Sequence, residues 1–202
     1  IGLVGGLIGG AFNKCLVCLT RRLAPLVRTR PLKTGLCLGA GLSALALLSW
    51  GTSTSDGEVL VRQLIEQGMP NAFSDQQKIV SGVMSLWITI VRVIGPMLAL
   101  SPGVPGGLID PSLTIGAVLG YTICAVVGVS TQLGIGLGLA AGLSGATQLP
   151  LVSIIFSWRL AGDQQLFAGV VLAAVLAAYT GGLVCRDPVY HGLSKLQSAP
   201  RL

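Results

Sequence analysis

Residues 101–117 read SPGVPGGLIDPSLTIGA, a proline- and glycine-rich interruption set between two long apolar runs. Pro102 and Pro105 are incompatible with regular helix, and Gly103, Gly106 and Gly107 allow unusual dihedrals and close approach to the backbone. At membrane depth, non-helical backbone persists only where protein buries it or where it lines a cavity. Pro111 then suits the first position of a helix and Asp110 its N-cap, so a new helix is predicted from Pro111 through Gly120. The unpaired N–H groups and partial positive charge at such a start would bind an anion without a full cation, loosely enough to let it go. A re-entrant loop that merely packs carries the same signature, and physics alone leaves both readings open.

The membrane setting comes from composition. Of 202 residues, 52% are hydrophobic and 10% charged, and the mean hydropathy is +0.81; soluble domains carry about 25% charged residues. Apolar runs near the ~20 residues needed to cross a bilayer occupy 2–19, 34–50, 79–100, 113–129, 133–158 and 166–184. They predict five to seven helical segments, some of them short. The first run, from residue 1, lacks the basic flank and cleavage pattern of a signal peptide, which raises the expectation of a later part of a longer polypeptide or of a subunit needing a partner.

The net charge of +6 has a local origin. Arg21, Arg22, Arg28, Arg30 and Lys33 occur without an acid among them, and Arg186, Lys195 and Arg201 follow in the tail. The positive-inside rule places both segments on the cytoplasmic side, which makes nucleic acid an unneeded partner. Residues 51–75 carry Asp56, Glu58, Glu66 and Asp75 against Arg62 alone. They read as an external loop with a short amphipathic helix at 58–67 and a turn at 68–71.

Glycines recur at four-residue spacing: Gly2, Gly6 and Gly10; Gly5 and Gly9; Gly35 and Gly39; Gly116 and Gly120; Gly134, Gly138 and Gly142. Each set falls on one helix face, where backbones approach closely, so the helices are expected to pack tightly on one another or on a partner. The run GIGLGLAAGLSG has no preceding strand and not the Rossmann spacing, so packing is its expected use. Cys15, Cys18, Cys37, Cys124 and Cys185 sit in or beside apolar segments and read as small hydrophobes rather than metal ligands. Arg92 is an intramembrane charge, either a structural ion pair or a source of positive field for anions. His191, the single histidine, has no nucleophile or orienting group beside it, so an enzyme is not expected. Ser112, Thr114 and Ser144 read as helix-capping or interhelical hydrogen bonders.

The stretch IVRVIGPMLALSPGVPGGLIDPSLTIGAVLG (90–120) resembles the part of the CLC chloride channels and chloride/proton antiporters that carries the GGxFxP motif. Downstream, AGLSGATQLPLVSIIFSW is similar to the family's next two helices, and TGGLVCRDPVYHGL to the segment bearing its pore tyrosine. GLVGGLIGGAFNK resembles the last helix of the first inverted repeat. The resemblance covers essentially the whole chain, residues 1–202, but only the second half of a CLC membrane core. It implies an all-α, CLC-like bundle of short, tilted and broken helices.

The function implied is transmembrane chloride transport, as part of a channel or a proton-coupled antiporter. In the family, a central chloride is held by two backbone amides, a tyrosine hydroxyl and a serine of the first repeat. By resemblance the amides belong to Leu108 and Ile109, the hydroxyl to Tyr190, and the pore-loop backbone to Gly106 and Gly107. Chloride is the bound substrate; no cofactor and no metal are implied. Ile109 replaces the family's usual Phe, Asp110 brings a carboxylate beside the anion position, and the interval from TGG to Tyr190 is slightly long. The family's serine motif, gating glutamate and proton-transfer glutamate belong to the half that has no counterpart here. The implied partners are the bilayer, that missing half in the same or another chain, and a second copy joined through glycine-rich helices resembling 2–19, 151–158 and 166–182. The implied location is a bacterial inner membrane, crossed several times. A non-conducting half-protein and a fluoride-transporting relative are the alternatives.

Overall fold

The computed structural model describes residues 1–49, 61, 87, 90–91, 93–102, 107–162 and 164–185. Six α-helices have defined bounds: α1 (Gly2–Thr29), α2 (Pro31–Leu48), α3 (Ile109–Val127), α4 (Thr131–Thr147), α5 (Pro150–Ala161) and α6 (Phe167–Val184). A short 3-10 turn, Gln164–Leu166, leads into α6, and residues 93–100 are helical. There is no strand among the described residues. Helices α1, α2, α3 and α6 are each long and apolar enough to cross a membrane. The expected all-α membrane architecture is what the chain adopts.

Helix boundaries depart from the apolar runs in two places. Helix α1 continues ten residues past Leu19 and carries Pro25 inside it. Arginine, leucine and alanine are strong helix formers, so the basic stretch beyond the apolar run is helical as far as Thr29, at the cost of the bond that Pro25 cannot donate. The run 133–158 is divided into α4 and α5, as the resemblance implied and hydropathy alone did not. Pro150 starts α5, and Gln148 ends α4 in the left-handed region at φ 57°.

The core is organised around α4, which packs against α1, α3, α5 and α6. Of its 17 residues, 13 are buried, which small residues make possible. Helices α3 and α4 run antiparallel with backbones in contact: Gly116 faces Gly138, Gly120 faces Gly134, and Gly142 faces the Ser112 carbonyl. Helix α1 divides its glycines between two neighbours. Gly5 and Gly9 meet α4 at Ala141 and Ala146, while Gly2, Gly6 and Gly10 meet α6 at Ala173, Ala177 and Gly181. Those glycine faces are therefore occupied inside the chain. Ser144 Oγ adds a buried hydrogen bond to the Ala174 carbonyl, 2.7 Å, across α4 and α6. Ser112 and Thr114 donate instead within α3, to the carbonyls of Leu108 and Asp110.

Helix α2 is different: none of its residues is buried, and a methyl group at Gly35 or Gly39 would meet nothing within 4 Å. Its attachment to α1 is the elbow at Arg30, where Thr34 Oγ1 donates to the carbonyls of Arg30 and Leu26 at 2.9 and 3.2 Å.

Gln148 tests the α4 terminus. Its Nε2 donates to the Cys185 carbonyl, tying the ends of α4 and α6 together. Gln148→Ala keeps the left-handed backbone and loses this bond, and a loss of about 1 kcal/mol is expected. Gln148→Gly loses the bond but relieves a conformation costing a non-glycine residue about 1 kcal/mol. Its apparent Tm in detergent should therefore stay near that of the unmutated protein while the alanine variant falls.

Candidate anion-binding site

The site is built by two consecutive apolar side chains that part company. Leu108, 2% exposed, enters a cluster with Phe12, Leu16, Ile115 and Ala146, beside Val93, Met97 and Leu100. Ile109 turns to a second cluster that holds Leu113, Ala117, Val118, Ile135, Leu139 and Leu143. Hydrophobic burial thus pins the chain on both sides of the Leu108–Ile109 peptide. Leu108 occupies the N-cap position, with φ −91°, ψ −16° and no side-chain cap bond. The first i→i−4 bond of α3 runs from the Ser112 N–H to the Leu108 carbonyl at 3.3 Å, backed by Ser112 Oγ at 2.7 Å. The amides of Leu108, Ile109 and Asp110 precede it and lie at the positive end of the helix. Pro111 brings no donor to a turn that has no internal acceptor for one.

Two expectations are corrected here. The helix begins at Ile109, not Pro111, and continues to Val127 rather than Gly120. Asp110 is not the N-cap; it is the second helical residue, inside the first turn. The reason is packing: burial of Leu108 and Ile109 fixes the helix start two residues earlier than the proline rule places it. A carboxylate in a first helical turn is favoured by the helix dipole, so Asp110 suits its position without capping.

In front of this helix start lies a cavity of about 250 Å³ lined by Leu42, Gly95, Pro96, Ala99, Leu100, Gly107, Asp110 and Pro111. At roughly 30 Å³ per water, it has room for an ion with part of its hydration. Gly107 is exposed, and a methyl group there would meet nothing within 4 Å. Of the residues expected at the site, Gly107 lines this hollow, while Leu108 and Ile109 follow it at the helix start and are not among the lining residues. Gly106, Tyr190 and Arg92 lie outside the described residues, as do the tail with His191 and the loop predicted at 51–75 apart from Val61, which is helical and buried in the cluster that Ile109 joins. The sequence reading missed the far wall. Gly95 and Pro96 carry a local signal, a pair of poor helix formers that here sit inside the helical run 93–100, but Leu42 reaches the cavity only through tertiary folding.

The family model described as voltage gated chloride channel matches residues 1–182. The chain belongs to the voltage-gated chloride channel family. Among curated members, it is similar to the "Chloride/fluoride channel protein" of Pseudomonas syringae pv. tomato, with 26% identity over 178 residues, 88% of this chain and 36% of that protein. It is also similar to the "Voltage-gated ClC-type chloride channel ClcB" of Salmonella typhimurium, with 24% identity over 197 residues, 94% of this chain and 44% of that one. The protein of the same name from Escherichia coli strain SMS-3-5 is 27% identical over 111 residues, 52% of this chain and 27% of its own. The chain spans less than half the length of these relatives.

Proposed function

We propose that this chain supplies part of a chloride-conducting pathway in a bacterial inner membrane, contributing the second half of a CLC-type core. The observation that supports this most is the start of α3, where the Leu108 and Ile109 amides precede the first helical bond beside the cavity, in a member of a channel family. The ion is held by N–H dipoles and helix charge rather than by a cation, so its site is shallow enough to empty. Tyr190 donates its hydroxyl to the same ion, and Gly106 and Gly107 let the backbone approach it. The first half of the core, in the same or another polypeptide, completes the pathway. A second copy of the chain sits on the apolar faces of α5 and α6, where Leu151, Ile155, Leu172 and Tyr179 are exposed. Fluoride is the second reading, favoured by the name of the Pseudomonas relative.

Reconstitution of the complete polypeptide in chloride-loaded vesicles tests the proposal. Gly107→Val should lower chloride efflux about tenfold or more, because the open space ahead of Gly107 accepts the side chain at the expense of the cavity. The unfolding temperature should not change. Tyr190→Phe, which removes one donor, should weaken chloride binding by roughly 1 to 3 kcal/mol. Efflux insensitive to both substitutions would reject the site, and a rate higher for fluoride than for chloride would favour the second reading.

A further inference from the structure

The α1–α2 elbow contributes none of the residues that line the cavity at the start of α3. The last buried residue of α1 is Thr20, and after the single exposed Lys14 a cluster of cations begins at the next position. Arg21, Arg22, Arg28, Arg30 and Lys33 are all exposed. Arg21 and Arg28, seven residues apart, fall within about 20° of each other around the helix, with Arg22 about 100° away. No Asp or Glu occurs before Asp56, and no ion pair engages these five side chains among the described residues. At 1.5 Å per residue, the 28 residues of α1 measure about 42 Å, some 12 Å more than the ~30 Å hydrocarbon core. The excess corresponds to roughly the last eight residues, the part that carries Arg22 and Arg28.

Apolar side chains accompany the charges. Leu26 is 53% exposed and Leu32 82% exposed on either side of Arg30, and neither joins a core cluster. Leu36, 74% exposed, continues the apolar surface along α2. A purely solvated loop has no use for such leucines. A bilayer interface does, with leucines at the acyl boundary and guanidinium groups among the phosphates.

We propose that this elbow is a docking surface for anionic phospholipid headgroups of the cytoplasmic leaflet. The chemistry is phosphate recognition by clustered exposed cations, which donate charge-assisted N–H bonds to phosphate oxygens. Clustering of four or more cations beside a membrane helix concentrates anionic lipid at the surface. The surface holds α2, which buries no residue against the rest of the described chain, by its attachment to lipid.

The test uses the complete protein reconstituted in equimolar phosphatidylglycerol and phosphatidylcholine, extracted in mild detergent, with retained lipids counted by native mass spectrometry. Phosphatidylglycerol should be enriched about tenfold or more over phosphatidylcholine. The Gln variant at all five positions (R21Q, R22Q, R28Q, R30Q, K33Q) should lose that enrichment, while a variant with the four arginines changed to lysine keeps most of it. Enrichment in the unmutated protein should also fall as salt rises from 0.05 to 1 M, about the range over which surface charges become screened; this arm needs no variant to fold. Equal retention of the two lipids by the unmutated protein, or undiminished enrichment in the Gln variant, overturns the proposal. So does displacement of the lipid by inositol hexakisphosphate at equal concentration, which would identify a soluble polyanion as the occupant.

Discussion

Gly116→Val is expected to abolish the folded protein. A Cβ at Gly116 would collide with the Gly138 carbonyl and lie 2.9 Å from the Gly142 Cα, so the obstacle is backbone on the facing helix and no side chain can swing aside. Overpacking ordinarily costs about 1 to 3 kcal/mol. Here α3 must leave α4, the helix at the centre of the core, and the expected cost is at least roughly 4 kcal/mol, in the range that marks a broken core. Size-exclusion chromatography in detergent should show aggregation, with apparent Tm far below that of the unmutated protein. Gly35→Val is the control. Its Cβ meets nothing within 4 Å, and its Tm should change by no more than the equivalent of about 0.5 kcal/mol. Similar behaviour of the two variants would refute the backbone-to-backbone account of α3 and α4.

Asp110→Asn should raise chloride affinity. Asp110 is next to Ile109 in the first turn of α3 and lines the cavity, so in the proposed site its carboxylate would oppose an anion held at the helix end. For two unit charges about 6 Å apart at an effective dielectric of 20, the repulsion is roughly 3 kcal/mol. Water in the open cavity screens part of it, leaving a gain of about tenfold in affinity. Isothermal titration with chloride, and initial efflux rates at subsaturating chloride, should both rise for Asp110→Asn and stay unchanged for Asp110→Glu. Loss of the favourable charge in the first turn should lower stability by only about 0.3 to 1 kcal/mol. Unchanged or weaker chloride binding would show that the carboxylate points away from the ion's path.

Much of this was readable before folding because it is written locally. The break before α3 follows from what proline and glycine do to a backbone, and the glycine spacing named the close-packed faces of α1, α3 and α4. What the sequence left open was where those faces go. Gly5 and Gly6 are adjacent, yet one meets α4 and the other α6, a division set by tertiary packing. Gly35 and Gly39 show the same spacing and touch nothing among the described residues. The helix start was misplaced by two residues because capping rules weigh polar side chains, while at Leu108 and Ile109 burial in two clusters outweighed them. Helix α1 was drawn too short because hydropathy ends at the arginines and helix propensity does not.

Side chains that interlock can exchange rotamers and let helices creep past one another in small steps. Helices α3 and α4 have no such adjustment, since carbonyl and Cα meet where rotamers would be. A slip of one residue would bring Ala117 or Ile115 to the place of Gly116, so no intermediate position exists between the observed register and separation. The α3–α4 contact is therefore a fixed abutment, against which the chain just before α3, with Gly107 and the helical run 93–100, is set.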